Sequence, residues 1–551
     1  MHRCLAVPEI FSEILKDILP SDEPRLNGTL TSDACHLSLE GRPVVESSEE
    51  LYQTLLALAC TCKRFLEPSL DALWRTVDSF WPIFVALGIS ERDLEEMITR
   101  HRNPYYPRRN PYHPHLSDLS EAQFKELALR LIIDADYNKA QYYLSRIRIF
   151  KLHAIPSALL WAVGELSRKW GSPLLPNVRE LHLTPPLTKD YLIFCGRRLV
   201  HVSAPLSADS PSLTTHSYPN FDSIYIPADN TKDTNDVVSS FIKNLPPMRV
   251  IDAVGCNSMP GTLEVIAAMS SLRSLSIGKF PDLSSSPAFL SPGRLLPCLQ
   301  ELLIGDIDLD LCTQLLYALE DPSALRQLHV GYLSTTGATL QKFMTTVATR
   351  CSPICLTRFT VSSNGPRRSA DAELPYSSKI QPIAVQPAAL QPLLPFVNLE
   401  YLNINVFTFN YDDGFVESIA LACPNIVTLC LNEHPEYIKS RNLTLRCLYP
   451  LAKYCPRLES LNMGGFTFAT GPGKIGVDGL SRTWTHDERY DVVPGLSLHF
   501  LNSSQVGVID RCLVDIAAYL MDIFPKIRYV DYHPLYFHIR DVREPGWNDW
   551  K

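Results

Sequence analysis

One pattern of apolar positions, apolar-x-x-apolar-x-apolar, recurs along most of this chain and constrains its fold more than any other feature. From 272 to 299 the step between copies is 27 residues, from 299 to 325 it is 26, and from 325 to 356 it is 31. Steps of this size are typical of leucine-rich repeats, in which a short strand alternates with a helical or irregular return. Clear copies lie at 178–183, 221–226, 272–277, 299–304, 325–330, 356–361, 399–404, 426–431, 458–463 and 527–532, and weaker copies begin at Ile147, Leu199 and Met248.

The segments between copies have the character of the returns in such a repeat. The stretches 310–324 and 413–425 carry helix-like apolar spacing, and the pairs Cys423-Pro424 and Cys455-Pro456 predict the point where a helix ends and the next strand begins. Within each strand the two apolar residues two apart face the core, and the residue between them faces a concave surface. The pattern predicts an α/β protein, with a small N-terminal helical module followed by an irregular leucine-rich-repeat-like solenoid and a curved parallel sheet. The alternative is a set of unrelated buried strands in another kind of α/β protein.

Proline, serine and glycine divide the chain into segments. We expect a helical module at 1–80 with a looped insert at 20–50, a helical, proline-rich connector at 81–140, and the solenoid at 141–551. Loops are predicted where the rhythm breaks, and the gap at 463–526 is predicted to hold a glycine-rich insert followed by a long amphipathic helix. The predicted loops within the solenoid are 205–220, 280–297 and 362–398.

Composition excludes several classes of protein. Hydrophobic residues make up 46% of the 551 residues and charged residues 20%, which allows a large packed core, and the net charge of −8 argues against a general nucleic-acid binder. Acidic residues such as Glu9 and Glu13 interrupt any signal-peptide core, and no apolar run reaches the length of a membrane span. Fifteen cysteines scattered through apolar segments then predict free, buried thiols, and a cytosolic or nuclear protein.

Near the N-terminus, the stretch "LALACTCKRFLEPSLDALWRTV" at 56–77 has two unlike halves. The first half, with the residue before it, carries an apolar stripe at helical spacing, and Glu67-Pro68 predicts a helix end because the residue before a proline avoids the α region. A second, shorter apolar set follows. The stripe consists of Leu55, Leu58, Ala59, Cys62 and Phe65, and the second set of Leu70, Leu73 and Trp74.

Together with "VPEIFSEILKDIL" at 7–19, this stretch resembles the F-box motif, and it is similar to F-box proteins of mushroom-forming fungi whose C-terminal parts are divergent leucine-rich repeats. The resemblance implies that the helices dock on the Skp adaptor of a cullin-RING ubiquitin ligase and that the repeats hold a protein substrate. The residues it assigns to adaptor binding are Pro8, Glu9, Ile10, Ile14, Leu55, Leu58, Ala59, Cys62, Phe65, Leu70, Leu73 and Trp74.

Two alternatives to this function stay open. A module of this size buries too little surface to be stable alone, so its apolar stripe needs a partner groove or must cap the open end of the solenoid. If it only caps, the chain is a leucine-rich-repeat scaffold or interaction protein with no link to a ubiquitin ligase.

Other motifs predict no catalysis, no cofactor and no metal site. The stretch "TGPGKIG" at 470–476 matches G-x-G-x-x-G, but Pro472 inside it and a poor helix start after it indicate a loop. The basic, aromatic segment 100–115 is typical of a linker or a partner-docking arm rather than a nucleic-acid site. The spacings Cys60-x-Cys62 and Cys351-x3-Cys355 lack zinc-ligand neighbours and predict core thiols. Neither G-x-S-x-G nor H-E-x-x-H occurs, so we expect a non-enzymatic protein with no nucleic-acid or membrane partner.

Overall fold

A computed structural model describes the larger part of the chain, and it divides into two compact units, 1–248 and 249–551. None of the described helices is long and apolar enough to cross a membrane. The residues described are 47–61, 63–78, 81–88, 126, 129, 133, 136–152, 157–192, 194–211, 213, 217–227, 232–257, 260–280, 293, 295–332, 336–363, 384–406, 408–409, 411–433, 443–464, 497–501, 529–533 and 537–539.

The first unit alternates helices with short strands. Its strands lie side by side in chain order from β1 to β5, and every described pair is parallel. Its elements are α1 (Ser47–Thr61), α2 (Lys63–Arg75), β1 (Thr76–Val77), α3 (Trp81–Ala86), α4 (Tyr137–Leu144), β2 (Ile149–Leu152), α5 (Ser157–Trp170), β3 (Glu180–Leu183), α6 (Lys189–Leu192), β4 (His201–Ser203), β5 (Ser223–Tyr225) and α7 (Lys232–Lys243).

The second unit continues the same alternation with longer strands. Its main sheet runs in the order β6-β7-β8-β9-β10-β12-β14-β15-β16-β17-β18, parallel until β18, which pairs antiparallel with β17. Strands β11 and β13 form a separate parallel pair. Its elements are β6 (Val250–Asn257), α8 (Pro260–Ala267), β7 (Ser274–Lys279), β8 (Glu301–Asp306), α9 (Leu309–Ala318), β9 (Gln327–Tyr332), α10 (Gly337–Arg350), β10 (Arg358–Ser363), β11 (Ala384–Val385), β12 (Tyr401–Val406), β13 (Thr408–Phe409), α11 (Asp413–Ala422), β14 (Thr428–Glu433), α12 (Leu448–Tyr454), β15 (Ser460–Gly464), β16 (Ser497–Leu501), β17 (Tyr529–His533) and β18 (Phe537–Ile539).

The predicted repeat of strands is confirmed, with strands that begin two residues into the sequence pattern. The first apolar residue of each copy lies in a turn before the strand; Leu325, for example, is fully buried and its N–H donates to the carbonyl of Pro322. The next two apolar residues, such as Leu328 and Val330, are fully buried and pair in register with their neighbours. Burial of such side chains stabilises the fold by about 1.5–3 kcal/mol each.

A recurring backbone contact sets this register. At the start of a strand, the N–H groups of two consecutive residues donate to the carbonyl of the residue just before the preceding strand, as Arg326 and Gln327 do to Gln300 at 2.7 and 3.1 Å. Arg179 and Glu180 make the same contact with Arg148 in the first unit, at 2.7 and 3.0 Å. Every strand with this contact therefore begins at the same level, and residues at one repeat position form a continuous row.

Side chains that cap the helices fix where the returns begin and end. Asp308 and Asp412 accept backbone N–H groups in the first turns of α9 and α11, which satisfies donors that have no partner inside a helix. Cys423 and Cys455 are the C-cap residues of α11 and α12, as the Cys-Pro pairs predict. Cys351 has the same position after α10.

Several predictions about the returns need correction. Helix α2 continues through Pro68, because its packing against α1 and α4 outweighs the one backbone hydrogen bond that a proline removes. Residues 47–50, predicted as part of the looped insert, form the first turn of α1, where Ser47 and two glutamates favour a helix start. The loop predicted at 362–398 ends in β11 and two 3-10 turns, each with a proline near its start.

The thiol prediction is correct for some cysteines and wrong for others. Cys351 and Cys430 are buried thiols, as expected, but Cys60, Cys298 and Cys355 are exposed. Cys60 lies on α1 one residue beyond the buried Ala59, so the helix turns it away from the core.

Candidate interaction surfaces

The helix pair α1–α2 contains the described part of the predicted adaptor site. Its members differ in exposure: Leu55, Ala59 and Phe65 are buried, with 1%, 8% and 4% of their surface exposed. Leu58, Leu70, Leu73 and Trp74 are half-buried. The remaining predicted residues, Pro8, Glu9, Ile10, Ile14 and Cys62, lie outside the described part of the chain.

The exposed side of the pair holds residues that the sequence pattern did not single out. Leu56 is 57% exposed and shares one helical stripe with the exposed Cys60. Lys63 and Arg64 begin α2 and are exposed as well. One large apolar side chain, a thiol and two cations are therefore exposed on the helix pair.

The other side of α2 is fastened to α4 and the turn that follows it. Arg146 pairs with Glu67 and Asp71, which lie one turn apart on α2, and its guanidinium lies 4.6 Å from the centre of the Tyr142 ring. The hydroxyl of Tyr142 donates to Glu67 at 2.6 Å. This bond, followed by the bond from Arg146, lowers the pKa of Glu67 below its ordinary value. The Trp74 and Tyr143 rings lie 5.1 Å apart and complete the contact.

A second surface lies at the strand starts of the first unit, where three arginines follow one another. Arg75, Arg148 and Arg179 each precede a strand, and the N–H of Arg148 donates to Arg75 and that of Arg179 to Arg148. We name these three residues the arginine row. Neighbouring parallel strands lie about 4.8 Å apart, so the row spans about 10 Å. The sequence analysis did not identify the arginine row, although each of its three arginines directly follows an apolar residue.

Two histidines lie beside the arginine row on adjacent strands. His201 Nδ1 and Ser223 Oγ are 2.7 Å apart, and the His182 ring, 5.3 Å from the His201 ring, contacts Glu180 Oε2 through Nε2 at 3.4 Å. Burial lowers the pKa of His201 to about 4, so this ring is neutral at pH 7. Ser223 is 8% exposed, and the carboxylate of Glu180 contacts His182 rather than the ring beside the serine. The arrangement therefore lacks the nucleophile–base–carboxylate chain of a catalytic triad.

A third surface is the row of middle residues in the strands of the second unit. The sequence predicted that these residues face a concave surface, but most of them are buried: Asn403 is 2% exposed and Asn462 7%. Strand register places Asn403, Cys430 and Asn462 next to one another. The side-chain oxygens of both asparagines have no hydrogen-bond partner among the described residues. The row consists of Ser276, Leu303, His329, Thr360, Asn403, Cys430 and Asn462.

Larger neighbours explain the burial of this row. The guanidinium of Arg358 lies 4.9 Å from the centre of the Tyr401 ring, two residues before Thr360 and Asn403 in their strands and hence on the same face. Small middle residues beside such a pair have little contact with solvent. Sequence periodicity identifies the face of a residue but not the size of its neighbours.

The described residues contain no group of three or more His, Cys, Asp or Glu side chains that could hold a metal ion. Burial raises the pKa of the Cys195, Cys351 and Cys423 thiols to about 12, which makes them poor nucleophiles. The stretches 470–476 and 100–115 lie outside the described part of the chain.

Comparison with known proteins adds no family to this geometry. No protein-family model matches the chain. No curated protein matches it either.

Proposed function

We propose that this protein is a substrate-recognition adaptor of a Skp-cullin-F-box ubiquitin ligase. In this proposal the N-terminal helices bind the Skp adaptor, and the rows of side chains along the repeat strands bind a protein substrate. The observation that carries the proposal is the F-box-like stretch at 56–77, which belongs to a helix pair with exposed residues at its centre. The chain itself supplies no catalytic step; the ligase with which it assembles would do so.

The geometry of the helix pair supports a docking role. The two helices pack on each other and are interrupted only between Thr61 and Lys63, so the exposed Leu56 and the cations of α2 lie close in sequence around that break. Large apolar side chains that are more than half exposed mark candidate contact points for a partner. A second partner surface is then available on the strands, as recognition of two proteins at once requires.

A second candidate function is a leucine-rich-repeat scaffold with no ubiquitin-ligase link. The burial of Leu55, Ala59 and Phe65 favours it, because three of the predicted adaptor contacts already pack inside the chain. The pairing of Arg146 with Glu67 and Asp71 favours it too, since it fixes α2 to the repeats as an end cap would be fixed.

Capture of the Skp adaptor by the full chain tests the two functions. We expect the parent protein to co-purify with the adaptor and Leu56→Glu to reduce the captured amount by about tenfold, because it places a charge at an apolar contact. Leu421→Glu is the matched control, since Leu421 is 55% exposed on a helix of the second unit. Absence of capture by the parent protein, or an equal loss in the control, would contradict the adaptor function.

A second set of variants separates docking from capping. Polar replacement of Pro8, Ile10 and Leu58 together should abolish capture and leave the melting temperature of the repeats unchanged if these residues serve the adaptor. If they cap the repeats instead, the same variant should melt at a lower temperature, since loss of a buried apolar side chain costs about 2–5 kcal/mol.

A further inference from the structure

We propose that helix α4 restrains the docking surface of α2, so that the Skp adaptor binds more tightly once α2 is released from α4. This restraint rests on the proposed function and regulates the same site. The contacts lie on one face of α2, whose residues Glu67, Leu70, Asp71 and Trp74 recur at helical spacing. We name these four residues the shared face, because Leu70 and Trp74 are predicted adaptor contacts and the two carboxylates pair with Arg146.

Most of the shared face is already in contact with α4 and the turn that follows it. The Trp74 ring lies 5.1 Å from the Tyr143 ring, and the guanidinium of Arg146 pairs with both carboxylates. The same guanidinium donates to the backbone carbonyl of Glu67 at 3.4 Å. A protein that covers the whole shared face must displace these side chains, because two groups cannot occupy the same place. The adaptor and α4 therefore compete for α2.

Helix α4 is the fixed partner in this contact. Ala140 and Leu144 lie one turn apart on α4 and are fully buried, and α3 packs against the helix as well. Asp136 caps the first turn by accepting the N–H groups of Asn138 and Lys139 at 2.9 and 3.2 Å. The cap lies within the flank of α4 itself. Release is therefore a movement of the helix pair α1–α2 rather than an unfolding of α4.

The contact with α4 is the weaker of the two contacts that α2 makes. The helices α1 and α2 pack on each other, and the buried side chains of the pair include Leu55 and Phe65. On the side of α4, the carboxylates of Glu67 and Asp71 remain more than half exposed, so water and salt weaken their attraction to Arg146. A partner can therefore separate α2 from α4 without opening the apolar interior of the helix pair.

The junction between α2 and β1 supplies a pivot for this movement. Helix α2 ends at Arg75, and β1 begins at Thr76 and is two residues long. The carbonyl of Arg75 accepts the N–H of Arg148 at 2.9 Å, which keeps this end of α2 attached to the sheet. Glu67 lies eight residues from the pivot, about 12 Å along the helix, so rotation moves it furthest. The contacts of Glu67 with α4 should open first.

The restraint predicts an effect opposite in sign to that of an ordinary ion pair. The apparent affinity for the adaptor is reduced in proportion to the fraction of molecules in which α2 is released. Removal of the restraint then raises the affinity without adding a contact. If the Arg146 pairs served only the fold, their loss would lower stability and leave adaptor binding unchanged or weaker.

The test measures binding of the full chain and its variants to immobilised Skp adaptor. Arg146→Met removes the guanidinium and keeps an apolar side chain of similar length. Arg168→Met is the matched control, because Arg168 forms an exposed pair with Glu165 within α5 of the same unit. We expect Arg146→Met to bind about fivefold more tightly than the parent, which corresponds to about 1 kcal/mol, and Arg168→Met to bind like the parent.

A second route to release uses the ring contact. Tyr143→Leu removes the ring beside Trp74 and should raise adaptor binding about threefold. A thermal melt of each variant identifies any loss of fold, so the two routes can be compared among folded variants. If neither folded variant binds the adaptor more tightly than the parent, the restraint does not exist.

A further pair of variants shows whether the gain uses the docking helices. Leu56→Glu added to Arg146→Met should remove the gain, because Leu56 lies on the exposed side of α1. Leu421→Glu added to Arg146→Met should retain it, since Leu421 lies in the second unit. A gain that survives Leu56→Glu would come from elsewhere on the chain and would overturn the proposal.

The remaining outcomes separate failure of the restraint from failure of the adaptor function. Equal or weaker binding by folded Arg146→Met, with the parent bound, would overturn the restraint and leave the adaptor function in place. An equal gain in Arg168→Met would overturn the restraint too, because loss of positive charge alone would then explain it. Absence of binding by the parent and by every variant would overturn the adaptor function and the restraint together.

Discussion

The two units use the same repeat core and differ in what the strands present beside it. In the first unit, arginines stand just before the strands and histidines lie within them, half-buried or exposed, and the charges of the arginines act on one another. In the second, the middle residues are mostly small and neutral, and Asn403 and Asn462 are buried next to Cys430. Rows of buried leucine, isoleucine, valine and phenylalanine form the core in both units, so the units differ in the rows beside the core rather than in the core itself.

The largest effect should come from the core, where the units are alike. Phe359→Ala in the second unit and Phe150→Ala in the first each remove a fully buried ring, which lies 6.4 Å from Phe343 and 6.2 Å from Phe194 respectively. Each should lower the free energy of unfolding by about 3–5 kcal/mol. Hydrogen exchange should show the lost protection in the unit that carries the change; equal loss in both units would show that they unfold as one.

Acid should weaken the fold through a histidine in each unit. Burial lowers the pKa of His201 and of His329 to about 4, so the unfolded chain binds more protons than the folded chain between pH 6.5 and 4. Stability is therefore full above pH 6.5 and falls as the pH drops towards 4, by on the order of 3 kcal/mol for each histidine. His201→Gln and His329→Gln should each flatten the dependence of the urea midpoint on pH. If the dependence of the urea midpoint on pH is unchanged in either variant, folding does not lower the pKa of the histidine that the variant replaces.

Ion pairs of the first unit should matter less, and only where they are buried. Arg146 has a side chain 10% exposed and pairs with two carboxylates, whereas Arg168 is 71% exposed and pairs with Glu165 on the same helix. Arg146→Met should cost about 1 kcal/mol, a value limited by the solvent exposure of its carboxylate partners, and Arg168→Met close to nothing. The difference should shrink in 1 M salt. Equal losses of stability in the two variants would show that the pairs of Arg146 contribute no more to the fold than the exposed pair of Arg168.

The smallest effect, and the one opposite in sign, should come from the neutral row of the second unit. Replacement of Asn403 by leucine removes a buried carbonyl oxygen without a partner, so the free energy of unfolding should stay within about 1 kcal/mol of the parent or rise. Asn462→Leu should behave alike. A loss of more than about 2 kcal/mol in urea unfolding would show that the amide has a partner in solution, such as an ordered water.

Much of the repeat fold was predictable from the sequence because it depends on apolar spacing. The copies around Leu302, Leu328 and Phe359 became neighbouring parallel strands, and the Cys-Pro pair at 423–424 ended a helix, since each effect arises from local geometry. Strand β16 was missed, although Leu498 and Phe500 alternate as strand residues do, because the glycine-rich stretch before it carries no repeat signal.

The candidate site was predictable only in part. The helical spacing of apolar residues identified the face of α1 that contains Leu55 and Ala59. It did not show whether that face is buried within the chain or exposed for a partner protein. The arginine row depends on residues that are 73 and 31 positions apart along the chain, from Arg75 to Arg148 and from Arg148 to Arg179. Only the register of the strands brings these residues together, and no window of sequence contains them.

The cysteines at the helix ends have a practical consequence. Cys351, Cys423 and Cys455 each close one return of the second unit, and the thiol of Cys455 points at the carbonyls of Ala420 and Cys423 at 3.7 and 3.8 Å. Such thiols react with an alkylating reagent only while the end of their helix is open. The half-life of each thiol in reaction with a maleimide, followed by mass spectrometry, therefore measures how often that repeat opens. Cys60 on α1 is exposed, so its rate gives the reference for an unprotected thiol. The chain thus carries, without any engineering, three thiols that report on separate repeats, with Cys423 and Cys455 on adjacent repeats and Cys351 two repeats before Cys423.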